Sequence, residues 1–362
     1  MWLRPCSRAS SRSPFRPSGR RTPREAAIRF PVAVALLLLA LVAAVTASVA
    51  VGSVRLSAAD VWAAVTDPDA DPVTRVIVWE LRLPRALLGA AVGAGLGAAG
   101  AAYQALFRNP LADPFVIGSA SGGAVGAVAV IVTGWAGVSE AVGATTTGAF
   151  AGSLLAVLLV YFIAVVTRGP VETLLLAGAT VSTVLSAVVW LLLTFAHDRL
   201  PSVMWWVMGG LNRNPQYWAV LTVAGPLLLA GGAALSLLGR PLDALRAGDD
   251  TARALGLPVG LVVPLVLTAA SVAVAAAVAA GGVIGFVGLV APHFARPLAG
   301  ASHARLVPAS ALVGAVLLVP ADLLARSLIP WQELPLGVIT ALAGGPAFLV
   351  VLGTSARRRA AA

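Results

Sequence analysis

Residues 82–114 read RLPRALLGAAVGAGLGAAGAAYQALFRNPLADP, and this stretch decides the fold class. Its central run, 84–107, is apolar and has the length that a helix needs to cross a bilayer, roughly 20 residues. Arg82 and Arg85 flank Pro84 at one end of the run, and an Asn-Pro-Leu turn follows the other end. Small residues recur on one helical stripe and would let a second helix approach closely. They are Gly89, Gly93, Gly97 and Gly100.

The composition of the whole chain extends this interpretation beyond one helix. Of the 362 residues, 59% are apolar and 11% are charged, whereas a soluble domain carries roughly 25% charged residues. All 25 basic residues are arginine, so the chain has no Walker A lysine for a P-loop ATPase. It also has no lysine that could form a Schiff base. The chain is therefore expected to be a membrane protein that hydrolyses no ATP itself.

Groups that could carry covalent chemistry are scarce. The one cysteine, Cys6, has no partner for a disulfide or a metal site, and the three histidines lack the His-Glu-x-x-His spacing of a hydrolytic zinc site. We therefore expect a chain that is not an enzyme, with no catalytic residues, no metal site and no cofactor. The net charge of +10 is spread between apolar spans, which favours membrane topology over nucleic-acid binding.

Hydropathy along the chain predicts an all-α membrane protein with about ten transmembrane helices. The predicted spans are 30–51, 84–107, 115–133, 143–166, 170–195, 217–238, 258–280, 282–299, 305–325 and 335–353. They form one domain over 30–353. Residues 1–29, with eight arginines, four prolines and several serines, are interpreted as a disordered Arg-rich cytoplasmic tail, and 354–362 as a basic cytoplasmic tail.

The arginines indicate the orientation of these spans. Ten spans put both termini on the same side of the membrane. If that side is the cytoplasm, 18 of the 25 arginines lie inside and seven lie outside, as the positive-inside rule requires. The chain is therefore expected in the cytoplasmic (inner) membrane of a prokaryote as a multi-pass protein with both termini cytoplasmic.

Two segments outside the spans are long enough to fold. Residues 52–83 are expected outside, with a short helix from Ser57 to Val65 and Ser57 as its N-cap. Residues 239–257 are expected inside, as two short helices broken at Gly248. Asp249 or Asp250 would cap the second helix, and Gly256 would end it.

Four segments are more specific than hydropathy, and together they resemble one family. They are RLPR at 82–85 with its Gly-rich helix, QALFRNPLADP at 104–114 followed by GSASGG at 118–123, GGVIGFVGLVAPHFAR at 281–296, and ADLLAR at 321–326 with ELPLG at 333–337 and GGPAF at 344–348. In this order they are similar to the FecCD family, the permease subunits of ABC importers for iron-siderophores, haem and cobalamin. The resemblance covers about residues 30 to 353.

The resemblance implies a type II ABC importer permease fold and an assembly. The partners would be a second permease subunit, as a homodimer or heterodimer, a cytoplasmic ABC ATPase dimer, an extracytoplasmic substrate-binding protein and the lipid bilayer. The transported ligand would be a metal chelate, for which the family's commonest assignment is an iron-siderophore.

The resemblance also implies roles for particular residues. It matches Arg82, Arg85 and Arg326 to binding-protein docking, where the alternative for each arginine is an anchor at a helix end. It matches Asn109 and Leu111 to a cytoplasmic gate, where the plain alternative is a reversal loop. It matches 239–257 to coupling helices that contact the ATPase, where the alternative is a polar connector. The expected contact residues are Leu242, Leu245, Ala252, Leu255 and Gly256.

A different class of transporter stays open at this point. An ion-coupled secondary transporter needs ionisable groups within the membrane, and Asp322 is the main candidate. Arg326 lies four residues further on, on the same helical face, so a neutralising pair between the two is the alternative for Asp322.

Overall fold

The computed structural model describes residues 23–52, 54, 56–135, 143–167, 169, 171–212, 216–329 and 331–360. Over these residues the regular elements are helices, and no strand occurs among them. The long helices are α1 (Pro23–Ala50), α4 (Leu83–Leu106), α5 (Ser119–Thr133), α6 (Ala144–Val166), α7 (Glu172–Leu193), α9 (Tyr217–Leu237), α12 (Val259–Gly281), α13 (Val287–Ala299), α14 (His303–Ser327) and α15 (Leu336–Ala360). The short helices are α2 (Ala58–Thr66), α3 (Pro72–Val76), α8 (Leu200–Val207), α10 (Gly239–Arg246) and α11 (Asp249–Ala254).

Seven of the ten predicted spans are long and apolar enough to cross a membrane by length and composition. Two more, Ser119–Thr133 and Leu336–Val350, are shorter apolar helical segments. The remaining prediction, 282–299, is helical only from Val287, because Gly282 and Phe286 both adopt positive φ, 68° and 67°. The five residues 282–286 thus form a non-helical entry to α13, which hydropathy alone does not detect.

The predicted boundaries of the two tails differ from the structure. Helix α1 begins at Pro23, so residues 23–29 are helical instead of disordered, and α15 continues through the basic segment to Ala360. Proline is favoured at the first position of a helix, and Arg-Glu-Ala-Ala after it are good helix formers. The rest of the predicted N-terminal tail, 1–22, lies outside the described residues, as do 361–362.

Helix α4 lies in the middle of the bundle, against α14, α9, α12 and α13. Its glycines explain this position. A Cβ at Gly93 would lie 2.7 Å from the carbonyl carbon of Gly314, and one at Gly97 would lie 2.9 Å from that of Ser310. Both distances are below ordinary van der Waals contact, so the backbones of α4 and α14 touch. The predicted glycine stripe therefore has an observed partner helix.

Replacing Gly97 with valine should force α4 and α14 apart and destabilise the subunit. Overpacking of this kind costs about 1–3 kcal/mol. The measurement is the melting temperature of the detergent-solubilised chain. Gly260→Ala is the control, because a Cβ there meets nothing within 4 Å. Equal melting temperatures for the two variants would contradict the close packing.

The bundle has two ends that differ in their extramembrane parts. One end carries α10 and α11, together with the C-terminus of α4, and we call it the α10 end. The opposite end carries α2 and α3, together with the C-termini of α1 and α14, and we call it the α2 end. A π-helix, Ile77–Arg82, joins α3 to α4 at the α2 end, so Pro72–Leu106 is continuously helical.

Candidate functional site

The three arginines predicted for docking lie at the α2 end, and all three are engaged within the subunit. Arg85 donates from Nε to Asp322 Oδ2 at 3.0 Å and from Nη2 to Asp322 Oδ1 at 2.9 Å. The same guanidinium donates to Glu333 Oε1 and Oε2 at 3.1 and 3.0 Å. We call Arg85, Asp322 and Glu333 the Arg85 clamp; it joins α4 to α14 and to the segment before α15.

The Arg85 clamp is largely shielded from solvent. The side chain of Arg85 is 9% exposed and that of Asp322 is 2% exposed, whereas Glu333 is 36% exposed. Bidentate pairing of arginine with a carboxylate is among the stronger charge-assisted hydrogen bonds. Both carboxylates are bound to the same guanidinium, so an external partner of Arg85 would have to compete with them.

Arg82 and Arg326 bind the end of α1. Arg82 donates from Nη1 to the carbonyls of Val49 and Ala50 at 2.8 and 3.0 Å, and also to the carbonyl of Val54. Arg326 donates to the carbonyl and hydroxyl of Ser48, the latter at 2.7 Å. Carbonyls at a helix C-terminus lack partners within the helix, and cationic side chains there satisfy them.

These contacts bear on two predictions. The docking role of the three arginines stays a prediction, and it would require a binding protein to compete with the internal partners. Arg326, the alternative partner for Asp322, has its Nε 3.9 Å from Asp322 Oδ2, but Arg85 makes the closer and bidentate contact. Sequence reasoning gave no role to Glu333, although it lies in one of the motifs that resemble the family.

The predicted gate residues lie at the α10 end. Asn109 Oδ1 accepts the backbone N–H of Leu111 at 2.9 Å, which forms an Asx turn around Pro110. The side chain of Leu111 is 44% exposed. The reversal loop is therefore ordered by its own side chain, and the gate role of these two residues stays a prediction.

Arg108, next to the predicted gate, links three elements that sequence reasoning left separate. Its backbone has a positive φ of 52°. Its Nε donates to the carbonyl of Leu245 in α10 at 3.1 Å, and its Nη2 donates to Asp249 at the start of α11. Its Nη1 lies 3.8 Å from Glu172 Oε1 at the start of α7. The end of α4 is thus tied to the 239–257 segment.

The 239–257 segment folds as predicted into two short helices with a break at Gly248, where φ is 120°. The predicted cap is Asp249 or Asp250, but the N-cap position is Gly248 and neither side chain caps the helix. Gly256 has a φ of 79° directly after the C-cap Leu255, as a helix-ending glycine requires.

The five residues predicted to contact an ATPase divide into two groups. Leu242, Leu245 and Ala252 are fully buried within the subunit, at 0%, 1% and 0% exposure, so the prediction of an external contact is corrected for them. The physical reason is that the apolar side of these short helices packs onto the bundle. Leu255 is 71% exposed, and Gly256 is also exposed. The contact role stays a prediction for these two.

A second polar cluster holds α10 against the start of α14, and sequence reasoning missed it. Asp243 Oδ1 accepts the backbone N–H of His303 at 2.8 Å and lies 2.6 Å from His303 Nδ1, while Asp243 Oδ2 accepts the hydroxyl of Ser302 at 2.9 Å. Burial alone would raise the pKa of Asp243, but these hydrogen bonds hold it below the ordinary value. At neutral pH this carboxyl is therefore ionised.

Within the ranges given above, no group of three His, Cys, Asp or Glu residues comes together that could hold a metal ion. The charged residues of both ends form ion pairs and helix caps instead. Such groups position helices.

Comparisons with known proteins agree with the fold. The model of the FecCD transport family matches residues 38–354, so the chain belongs to this family of ABC transporter permeases. The cobalamin import system permease of Halobacterium salinarum is 40% identical over 299 residues, covering 80% of this chain and 79% of that protein. The hemin transport system permease of Yersinia pestis is 36% identical over 315 residues, covering 86% and 92%.

A solved structure described as an inward-facing conformation of a metal-chelate type ABC transporter has the same fold. It superimposes with a TM-score of 0.78 and 32% identity, and the match covers 90% of this chain and all of that chain. The predicted all-α membrane protein with a type II importer permease fold is therefore confirmed. Family membership makes the chain a multi-pass membrane component of a transporter that works with ATPase and permease partners.

Proposed function

We propose that the chain is the permease subunit of an importer that moves a bulky metal chelate inward by alternating access. ATP binding and hydrolysis on a cytoplasmic ATPase dimer would drive the cycle, and this chain would do no covalent chemistry. An extracytoplasmic binding protein would deliver the ligand to a permease homodimer or heterodimer. The α10 end would face the cytoplasm, and both termini would lie on that side of the inner membrane.

One observation carries the proposal, namely that the α10 end presents a structured and anchored segment. A transporter driven by ATP on another chain needs a rigid element that the other chain can push. Residues 239–257 form two helices that Arg108 and Asp243 tie to α4 and α14, and Leu255 projects from them with 71% exposure. A plain connector would need none of these contacts.

The relatives and the family resemblance support the proposed ligand class. Two relatives are named for cobalamin and hemin import, and the family as a whole also handles iron-siderophores. These ligands are all large chelates of a single metal ion. We keep the ferric siderophore as the first candidate ligand and place cobalamin and haem beside it in the test.

The test is uptake by proteoliposomes that contain the chain, its ATPase and its binding protein. We expect ATP-dependent accumulation of at least one of ferrichrome, cyanocobalamin and haemin. Uptake should disappear when the Walker A lysine of the partner ATPase is replaced. Accumulation that follows an imposed proton or sodium gradient, without ATP, would instead support the ion-coupled secondary transporter.

Asp322→Asn separates the two mechanisms within this chain. A coupling carboxylate in a secondary transporter has to gain and lose protons or ions during the cycle. Asp322 is instead buried against the guanidinium of Arg85, so we expect Asp322→Asn to lower the stability of the subunit. The dependence of uptake on ATP should stay as it is in the wild type. Normal stability with uptake that no longer responds to an ion gradient would favour the secondary transporter.

A further inference from the structure

The Asp243 lock, formed by Asp243, Ser302 and His303, joins two elements with different expected roles. Asp243 belongs to α10, and the other two residues form the start of α14. One carboxylate accepts a backbone N–H and a side-chain hydroxyl, and it also contacts the imidazole Nδ1. Asp243 therefore supplies the side-chain cap that Ser302, the N-cap residue of α14, does not make itself.

The backbones of α10 and α14 also touch beside this cluster. A Cβ at Gly239 would lie 2.5 Å from the backbone nitrogen of Ala304 and 2.9 Å from the carbonyl carbon of His303. The imidazole of His303 is fully buried, and its Nε2 has no hydrogen-bond partner among the described residues. The ring is thus enclosed and its position is fixed by the contact with Asp243.

Helix α14 runs from this contact at the α10 end to the opposite end of the bundle. Nineteen residues separate His303 from Asp322, which corresponds to about 28 Å along a helix. Asp322 belongs to the Arg85 clamp. Between His303 and Asp322, helix α14 lies in backbone contact with α4 at Gly314 and Ser310. Because Arg108 also ties α4 to α10, the two long helices are fastened to the α10 segment at one end and to each other at the opposite end.

We propose that Asp243 is a positioning residue that makes α10 and α14 one mechanical unit. A push on the α10 segment then displaces α14, and with it the Arg85 clamp at the α2 end. This inference rests on the proposed function, because it takes the α10 segment to be the element that the ATPase moves. Asp243 touches no ligand in this account and acts only by fixing α10 to α14.

Replacing Asp243 with alanine tests this role. We expect the amount of substrate imported per ATP hydrolysed to fall about tenfold, the size of a typical coupling between sites. The matched control is Asp60→Ala. Asp60 also accepts a backbone N–H at a helix N-terminus, that of Ser57 at 2.9 Å, but it lies in α2 at the opposite end. A simple loss of stability would lower import and ATP hydrolysis together and leave their ratio unchanged. An unchanged ratio in Asp243→Ala would therefore overturn the proposal.

A cross-link gives a second test that does not depend on the alanine variant. Asp243→Cys with Ser302→Cys, in a chain with Cys6→Ser, should show the same loss of coupling before cross-linking. Bridging the two thiols with a short bifunctional methanethiosulfonate reagent should restore import per ATP, because it rejoins α10 to α14. If bridging abolishes import instead, α10 must move relative to α14, and the proposal is wrong.

Failure of this inference can be told apart from failure of the proposed function. If the wild-type complex imports no chelate with ATP, the proposed function fails before the variants are compared. If the wild type imports substrate and Asp243→Ala keeps the wild-type ratio, only the positioning role fails. Binding of the ATPase to each variant, measured by co-purification, shows whether the complex is still assembled.

Discussion

Replacing Arg85 with alanine is expected to destabilise the subunit by about 3–5 kcal/mol, the cost of leaving a buried charge without its partner. Asp322 is 2% exposed and keeps only the distant Nε of Arg326, at 3.9 Å, once Arg85 is gone. Glu333 loses the contact that holds the segment before α15. The measurement is the melting temperature and the yield of membrane-inserted protein.

Two further variants show whether the buried charge is the cause. Arg75→Ala removes an exposed arginine of the same end, whose Nη1 donates to the carbonyl of Pro68 at 2.6 Å, and it should leave stability unchanged. Arg85→Leu combined with Asp322→Leu removes both buried charges, and such replacements are often neutral. The double variant should therefore be more stable than Arg85→Ala.

The same variant distinguishes a structural from a docking role for Arg85. If Arg85 serves docking, Arg85→Ala folds as well as the wild type and loses affinity for the binding protein. If the Arg85 clamp holds the helices together, Arg85→Ala has a lower melting temperature and a lower yield than the wild type. A stable Arg85→Ala subunit with weakened docking would contradict the structural assignment made here.

Hydropathy predicted where the helices lie because most spans are continuous apolar runs. It failed at 282–286, because a membrane helix and a non-helical segment buried in protein have the same composition. There the backbone is set by positive φ at Gly282 and Phe286. Local caps were predicted with mixed success: the Ser57 cap of α2 is confirmed with a full capping box, whereas no side chain caps α11.

The partners of the charged residues were harder to predict than the helices. Asp322 and Arg326 are one helical turn apart, so a pair between them follows from local spacing. Arg85 lies 237 residues away in the chain, and only the packing of α4 on α14 brings it to Asp322. Asp243 and His303 are likewise 60 residues apart, with no sequence signal that connects them.

The resemblance implies that five residues of 239–257 contact an ATPase; burial corrects this for three of them, and for Leu255 and Gly256 it stays a prediction. In a short helix beside a large bundle, the apolar side packs on the bundle. Leu242 and Leu245, three residues apart, are buried in that way. A leucine that contacts a partner has to lie off that side, as Leu255 does in the turn after α11.

Replacing Leu255 with aspartate is therefore expected to remove ATPase binding without unfolding the subunit. Leu255 is 71% exposed, so a carboxylate there is solvated in the free subunit and costs little stability. In a complex the same carboxylate would be desolvated at the contact. Loss of a central contact residue costs about 2 kcal/mol or more, roughly a 30-fold rise in the dissociation constant for the ATPase.

Two other substitutions to aspartate serve as controls for Leu255→Asp. Val65→Asp introduces the same charge at a site that is 50% exposed in α2, at the opposite end, and ATPase binding should stay normal. Leu242→Asp buries a carboxylate at a position with no exposure, so the subunit itself should fail to fold. Binding is measured by co-purification and by titration of the ATPase onto the detergent-solubilised chain.

The pattern across the three variants decides the orientation of the bundle as well as the contact. Loss of binding in Leu255→Asp with normal binding in Val65→Asp places the ATPase at the α10 end, which is then the cytoplasmic end. Loss in Val65→Asp alone would place it at the α2 end and reverse the topology derived from the arginines. A folded Leu242→Asp subunit that lacks ATPase binding would mean that α10 turns its buried side outward in the complex, and the division of the segment into inner and outer residues would then be wrong.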